Sequence, residues 1–278
     1  MVDTVLTPAA GGLRKMRTRL EQPVHYQLLI GDDQVDLNAL IGKPIRLVYQ
    51  QEINCLHCGR KTKKSFNQGY CYPCFTRLPQ CDSCIIKPEK CHFHEGTCRD
   101  PAWGERHCFQ PHVVYLANSS GLKVGITRGE QVPTRWIDQG AIQALPILEV
   151  DNRLHSGLIE QIIAAHVSDK TNWRTMLKGG NPGIDLKAER DRLLELCADE
   201  LNQLRERFGE AAIRRLEADV VEIEYPVDQY PSKISTHNFD KEAEVSGVLL
   251  GIKGQYLILD TGVINIRKFS AYKVQLSV

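Results

Sequence analysis

The chain has 278 residues, 42% apolar and 25% charged, and its 35 Lys+Arg nearly balance 34 Asp+Glu to leave a formal net charge of +1. That composition excludes a disordered or collagen-like chain, and near-neutrality excludes a wholly basic protein while leaving room for a local basic patch. No stretch approaches the roughly 18 consecutive apolar residues of a membrane span, and residues 1–12 lack a basic segment followed by an apolar run, so a cytoplasmic protein with no membrane partner is expected.

Residues 24–30 (Val-His-Tyr-Gln-Leu-Leu-Ile) read as a strand ending in the turn Gly31-Asp32-Asp33. Residues 44–49 read as a second, with Ile45, Leu47 and Tyr49 on one face at period two. A cysteine-rich stretch follows, holding nine of the ten cysteines between Cys55 and Cys108. It is too short of aliphatic residues to form a conventional core. From His112 the pattern is α/β: strands at 113–117 and 122–127 around the turn Asn118-Ser119-Ser120-Gly121 make a hairpin, and 145–150 a third strand. Thr134 is placed to N-cap a helix starting at Arg135, and Ser156 one covering 157–167. Residues 185–208 predict one long helix with an apolar stripe at Leu186, Leu193, Leu194, Cys197, Leu201 and Leu204. Gly209 ends it, and 210–216 reads as a further short helix.

Strand patterns return at 220–227, 245–252, 255–260, 263–267 and 272–278. Two N-terminal strands are too few to be stable alone, so they are expected to join the C-terminal strands in a small β-barrel or curled sheet. The expected class is α+β, with β strands in 1–52, a zinc-binding module in 53–112, an α/β core in 113–180, a helical linker in 181–217 and a β module in 218–278.

Cys55-x2-Cys58 and Cys71-x2-Cys74, separated by twelve intervening residues, supply four thiolates able to converge tetrahedrally on one Zn²⁺. Cys81, Cys84, Cys91 and Cys98 are the first choice for a second zinc, with Cys108, His94 and His112 as alternates. A disulfide framework is the competing reading, disfavoured in a reducing compartment. Four protein ligands per ion leave no open position, so these zincs are structural. The segment is locally basic, with nine Lys/Arg against five Asp/Glu between Ile53 and His112. Arg60, Lys61, Lys63 and Lys64, followed by Phe66 and Tyr70, could track phosphates and stack a base; a solvated turn accounts for them as well.

Tyr115 on the first hairpin strand, Val124-Gly125 on the second, then Arg135 and Glu160 on successive helices resemble the GIY-YIG nuclease module over residues 113–173. The whole chain, through Cys81-Asp82-Ser83-Cys84, residues 96–101 (Gly-Thr-Cys-Arg-Asp-Pro) and residues 251–256 (Gly-Ile-Lys-Gly-Gln-Tyr), resembles an uncharacterised bacterial family carrying that core. The resemblance implies a divalent-metal-dependent endonuclease. In it Glu160 binds Mg²⁺ or Mn²⁺, Arg135 holds the scissile phosphate, and Tyr115 positions or deprotonates the attacking water, favouring alkaline pH. Lys123 stands where the second tyrosine of the module would be, as in some branches of that group, and could contact phosphate. Two other classes stay open: a catalytically silent RNA-, tRNA- or DNA-binding protein, and a zinc-stabilised adaptor for another protein. His155, His166, Asn172 and Trp173 are candidate neighbours of the site; a histidine near a helix is more often a packing or surface residue, while Trp173 reads equally as a core plug and Asn172 as a turn cap.

Overall fold

The computed structural model describes residues 9–167, 172–180 and 182–278. In chain order the strands are β1 (Ala9–Gly12), β2 (Arg17–Arg19), β3 (His25–Ile30), β4 (Asp33–Asp36), β5 (Pro44–Ile53), β6 (His112–Asn118), β7 (Leu122–Arg128), β8 (Gln143–Val150), β9 (Ile213–Arg215), β10 (Val221–Glu222), β11 (Glu244–Lys253), β12 (Tyr256–Leu259), β13 (Gly262–Asn265) and β14 (Tyr272–Ser277). The α-helices are α1 (Tyr72–Arg77), α2 (Ser83–Ile86), α3 (Pro101–His107), α4 (Thr134–Asp138), α5 (Arg153–Ala164), α6 (Trp173–Lys178), α7 (Leu186–Leu196) and α8 (Ala198–Phe208). The class is α+β, as expected. Among the described residues no helix is long and apolar enough to cross a membrane.

The chain divides into two units, Met1–Thr76 with Leu177–Gly179 and Glu224–Val278, and Arg77–Met176 with Gly180–Ile223. In the first, one antiparallel sheet runs β1-β14-β5-β11-β12-β13. N- and C-terminal strands therefore share a sheet. Leu47 of β5 faces Val245 on one side and Leu276 on the other, and alternation along β5 buries Ile45 and Leu47. The strand expected at 24–30 does not join them. It is β3, the middle of a separate sheet β2-β3-β4. The Gly31-Asp32 turn explains this: with Gly31 at φ +58 it closes a tight hairpin that pairs Ile30 with Asp33, so β3 is captured locally by β4.

In the second unit β10, β8, β6 and β7 lie side by side, with β9 also on β8, all antiparallel. Strand β6 is buried along its whole length. Val114, Leu116 and Leu148 pack with Ile159 and Ile163 of α5, Leu186 and Leu193 of α7, Cys197, and Leu201 of α8. Three local expectations shift here. Asn152, not Ser156, caps α5 by accepting from the N–H of His155, so the helix starts at Arg153 and Ser156 turns its hydroxyl onto the Arg153 carbonyl. The long helix bends at Cys197 (ψ +12), giving α7 and α8 while its apolar stripe stays inward. Residues 210–216 become a short 3-10 turn and β9, because Ile213 gains a buried place opposite Val150 at the sheet edge. Only Val221–Glu222 of the strand expected at 220–227 pairs with β8.

Candidate metal centre and active site

Strand β5 delivers the chain to Cys55. The Cys55 N–H donates to the Arg60 carbonyl and the Gly59 N–H to the Cys55 carbonyl. Gly59 at φ +70 permits the tight knuckle that brings Cys58 back toward Cys55. Asn67, Gln68 and Gly69 follow with positive φ and fold Tyr70 onto Phe66. The Leu56 N–H then donates to the Gly69 carbonyl, tying the first knuckle to the second, and Cys74 arrives on the first turn of α1. The four sulfurs of Cys55, Cys58, Cys71 and Cys74 lie within 4.8 Å of one another, with Cys58 and Cys71 3.7 Å apart. A tetrahedral site with Zn–S near 2.3 Å requires a sulfur–sulfur edge of about 3.8 Å, so the donor set fits a structural zinc ion. Burial opposes ionisation at Cys55, yet donation from the N–H groups of Cys71, Cys58 and His57 brings it down to about 6. Burial and hydrogen bonding with the other three thiols push Cys74 up to about 12. One thiolate thus suppresses the next, a tension that a dication relieves.

Cys84, Cys91, Cys98 and Cys108 line one small cavity together with Asp82 and His92. Cys81 is buried but does not line it. Asp82, Cys84 and His92 bring donor atoms within 4.8 Å of one another, and Asp82 also pairs with the Arg99 Nε at 2.8 Å. Burial, then the charges of Asp82 and the other three thiolates, push Cys84 up to about 11. His94 is exposed beside Glu95. His112 is buried with its Nδ1 against the Gln110 carbonyl at 2.6 Å; burial is the main force lowering its pKa to about 4. Helix α5 holds this cluster: the Arg153 side chain donates to the Ile85 carbonyl and its N–H to that of Cys108.

In the hairpin β6–β7, Tyr115 is registered on Gly125 and Ala117 on Lys123, which puts Lys123 and Gly125 on one face of β7. Gly125 is required: a Cβ there would lie 2.6 Å from the Tyr115 hydroxyl. That hydroxyl donates to Gln139 Oε1 at 2.9 Å and accepts from Arg135, with the Glu160 carboxylate close enough to act on it. Tyr115, Arg135 and Glu160 are therefore brought together. Tyr115 is 0% exposed. Burial drives its pKa up to about 12 against the opposing pull of Arg135, which favours the neutral phenol as a donor.

A family model described as "Protein of unknown function (DUF2797)" matches residues 42–274. The chain belongs to that family. No curated protein and no solved structure matches it. Of the other candidate neighbours in this DUF2797 chain, His155 stacks on Phe208 at 4.1 Å, His166 is exposed, the Asn172 side chain accepts from the Arg174 N–H at the start of α6, and Trp173 lies under the Arg174 guanidinium. Residues 168–171, just before Asn172, lie outside the described residues. Sequence reasoning missed Gln139, although its i+4 spacing from Arg135 was a readable signal. It also missed Asp82, hidden between two cysteines that drew the attention.

Proposed function

We propose that this DUF2797 chain is a nucleic-acid-binding protein whose Tyr115–Arg135–Glu160 site hydrolyses phosphodiester bonds with a divalent cation. The convergence of those three side chains across two helices and a hairpin carries the reading. Glu160 would hold Mg²⁺ or Mn²⁺, hard cations that take one or two carboxylates and complete their shell with water and phosphate oxygens; the cation, when bound, supplies charge stabilisation at the reacting phosphate. Arg135 offers its planar fork of donors to the phosphate. The Tyr115 phenol orients Arg135 and Gln139 rather than removing a proton. Arg60, Lys61, Lys63 and Lys64 supply an electrostatic footprint for nucleic acid, and a reducing cytoplasm keeps the thiols available for metal. A second structural zinc belongs on Cys84, Cys91, Cys98 and Cys108, supported by their common cavity.

The complete burial of Tyr115 favours a second reading, in which the same groups clamp a phosphate without cleaving it. Zinc-loaded protein is incubated with labelled RNA, single-stranded DNA and duplex DNA in Mg²⁺ or Mn²⁺, beside Glu160→Gln and Arg135→Ala. Metal-dependent cleavage lost in Glu160→Gln supports the nuclease. Salt-sensitive binding without cleavage supports the clamp. Absence of binding at low salt removes both and leaves the zinc-stabilised adaptor.

A further inference from the structure

The Cys55–Cys74 module carries an uncovered aromatic surface beside unpaired cations. Tyr72, directly after Cys71, is 60% exposed, and Leu56, directly after Cys55, is 44% exposed. Phe66 meets the Tyr72 ring edge-on at 5.5 Å and stacks on Phe75 at 5.6 Å. Lys64 Nζ stands 5.2 Å from the centre of the Phe66 ring. The platform is rigidly mounted: the Asn67–Gly69 turn has φ of +44, +60 and +147, Ser65 anchors it on the Ser270 carbonyl at 3.0 Å, and a Cβ at Gly69 would lie 2.5 Å from the Leu56 side chain. Tyr70, the ring the sequence singles out, is folded inward and half-buried; Tyr72 faces solvent.

The charge around it is mainly positive. Arg60, Lys63 and Lys64 are exposed, and among the described residues none has a carboxylate partner; Lys61 alone pairs, with Glu52 at 3.6 Å. A contiguous exposed apolar patch marks an interaction site, and a cluster of cations raises the local concentration of anions. A polyanion with flat apolar faces suits both. Duplexes keep their base faces stacked inside, whereas a single strand offers them.

We propose that Tyr72, backed by Phe66, stacks an unpaired base of a single-stranded nucleic acid while Arg60, Lys63 and Lys64 hold its phosphates. This rests on the nucleic-acid reading above and narrows it to single strands.

Fluorescence anisotropy on the zinc-loaded full chain tests it, using labelled single-stranded oligo(dT) and oligo(U) of roughly 12 nucleotides and a duplex of equal length, at about 50 and 200 mM salt. Single strands should bind roughly tenfold more tightly than duplex or better, and Tyr72→Ala should weaken them about 5- to 30-fold. Tyr72→Phe should stay within about twofold, since the ring is what stacks. Zinc content equal to wild type in Tyr72→Ala shows that the module is intact, and the Phe variant reports on stacking even if the Ala variant loses metal. Equal affinity for duplex and single strand, or unchanged binding in Tyr72→Ala, overturns the platform while leaving nucleic-acid binding standing. Competition by poly-glutamate as effective as that by oligonucleotide also overturns it. Absence of binding to every nucleic acid at low salt overturns both.

Discussion

Gly157 on α5 is where the second cysteine cluster touches the helix. A Cβ at this position would lie 2.6 Å from the Glu89 N and the Pro88 Cβ and 2.8 Å from the Pro88 C. Ordinary contacts lie near 3.5–4 Å, so Gly157→Ala overlaps by about 1 Å, and two of the three atoms it meets are backbone that cannot rotate away. Overlap with backbone places the cost at the upper end of the overpacking range, about 2–3 kcal/mol. Alanine in a helix interior returns up to about 1 kcal/mol over glycine, leaving a net loss of about 1–2 kcal/mol. For a unit of this size that lowers Tm by about 2–8 °C. The assay is thermal unfolding of zinc-loaded wild type and variant, followed by circular dichroism. Helix propensity alone predicts the opposite sign. An unchanged or higher Tm in Gly157→Ala would therefore refute the close approach of α5 to the Pro88–Lys90 turn.

Zinc content separates the second-site ligands: Cys108→Ser should release one ion relative to wild type and Cys81→Ser none, as read by mass spectrometry of the native protein. Burial depresses His112 from 6.5 to about 4, so its neutral form is the folded one; its contribution is whole above about pH 6.5 and fades as pH falls through 4. Stability should drop by about 3 kcal/mol over that window, and His112→Asn should flatten the slope of denaturant midpoint against pH. Lys253 is 1% exposed, held over the Tyr225 and Tyr230 rings at 5.3 and 5.5 Å with no acid partner among the described residues. Burial lowers its pKa from 10.5 to about 8, so below pH 8 the fold carries a buried charge, offset in part by the rings. Lys253→Met should stabilise the protein by about 1–2 kcal/mol at pH 7 and less as pH rises toward 10.5; a lower midpoint at pH 7 would show the ammonium to be net favourable.

Period-two patterns and turn residues found β5, the β6–β7 hairpin, β8 and the C-terminal strands, because each strand buries alternate residues against a fixed neighbour. They could not tell β3 from a member of the large sheet, since the Gly31 turn that hands it to β4 looks the same in either topology. The apolar stripe at 185–208 located a helical surface but not the bend at Cys197, which keeps the stripe inward in both segments. Residues 210–216 were misread because Ile213 has two places to go, and the free edge of β8 decides. At the site, CxxC spacing identified the Cys55–Cys74 donors, for which two knuckles suffice. The second cluster was less legible: spacing favours Cys81 over Cys108, whereas Cys108 and not Cys81 lines the cavity with Cys84, Cys91 and Cys98. Tyr115 was legible as a strand residue facing glycine. Its complete burial, which pushes its pKa up, was not.

Between Cys55 and Cys108 no Val, Leu, Ile or Met is buried; the buried side chains that are not polar are Pro88 and Cys55, Cys71, Cys74 and Cys81. Hydrophobic burial in that stretch is too small to repay chain ordering by itself, so its shape depends on what the thiols hold. The consequence reaches the candidate active site through one helix. Arg153, Gly157 and Glu160 are spaced i, i+4 and i+7 along α5 and share a face. Arg153 feels the charges of Cys108, Cys84 and Glu160, while Gly157 seats the helix on Pro88 and Glu89. The cysteine cluster therefore fixes both the position and the electrostatic surroundings of the carboxylate proposed to bind a cation. A metal with no part in the chemistry would then govern it at a distance. In Cys108→Ser, binding of Mn²⁺ at Glu160, followed by water-proton relaxation, should weaken although neither Glu160 nor its neighbours have been altered. Retention of full Mn²⁺ affinity in that variant would show that α5 is held by its sheet contacts alone.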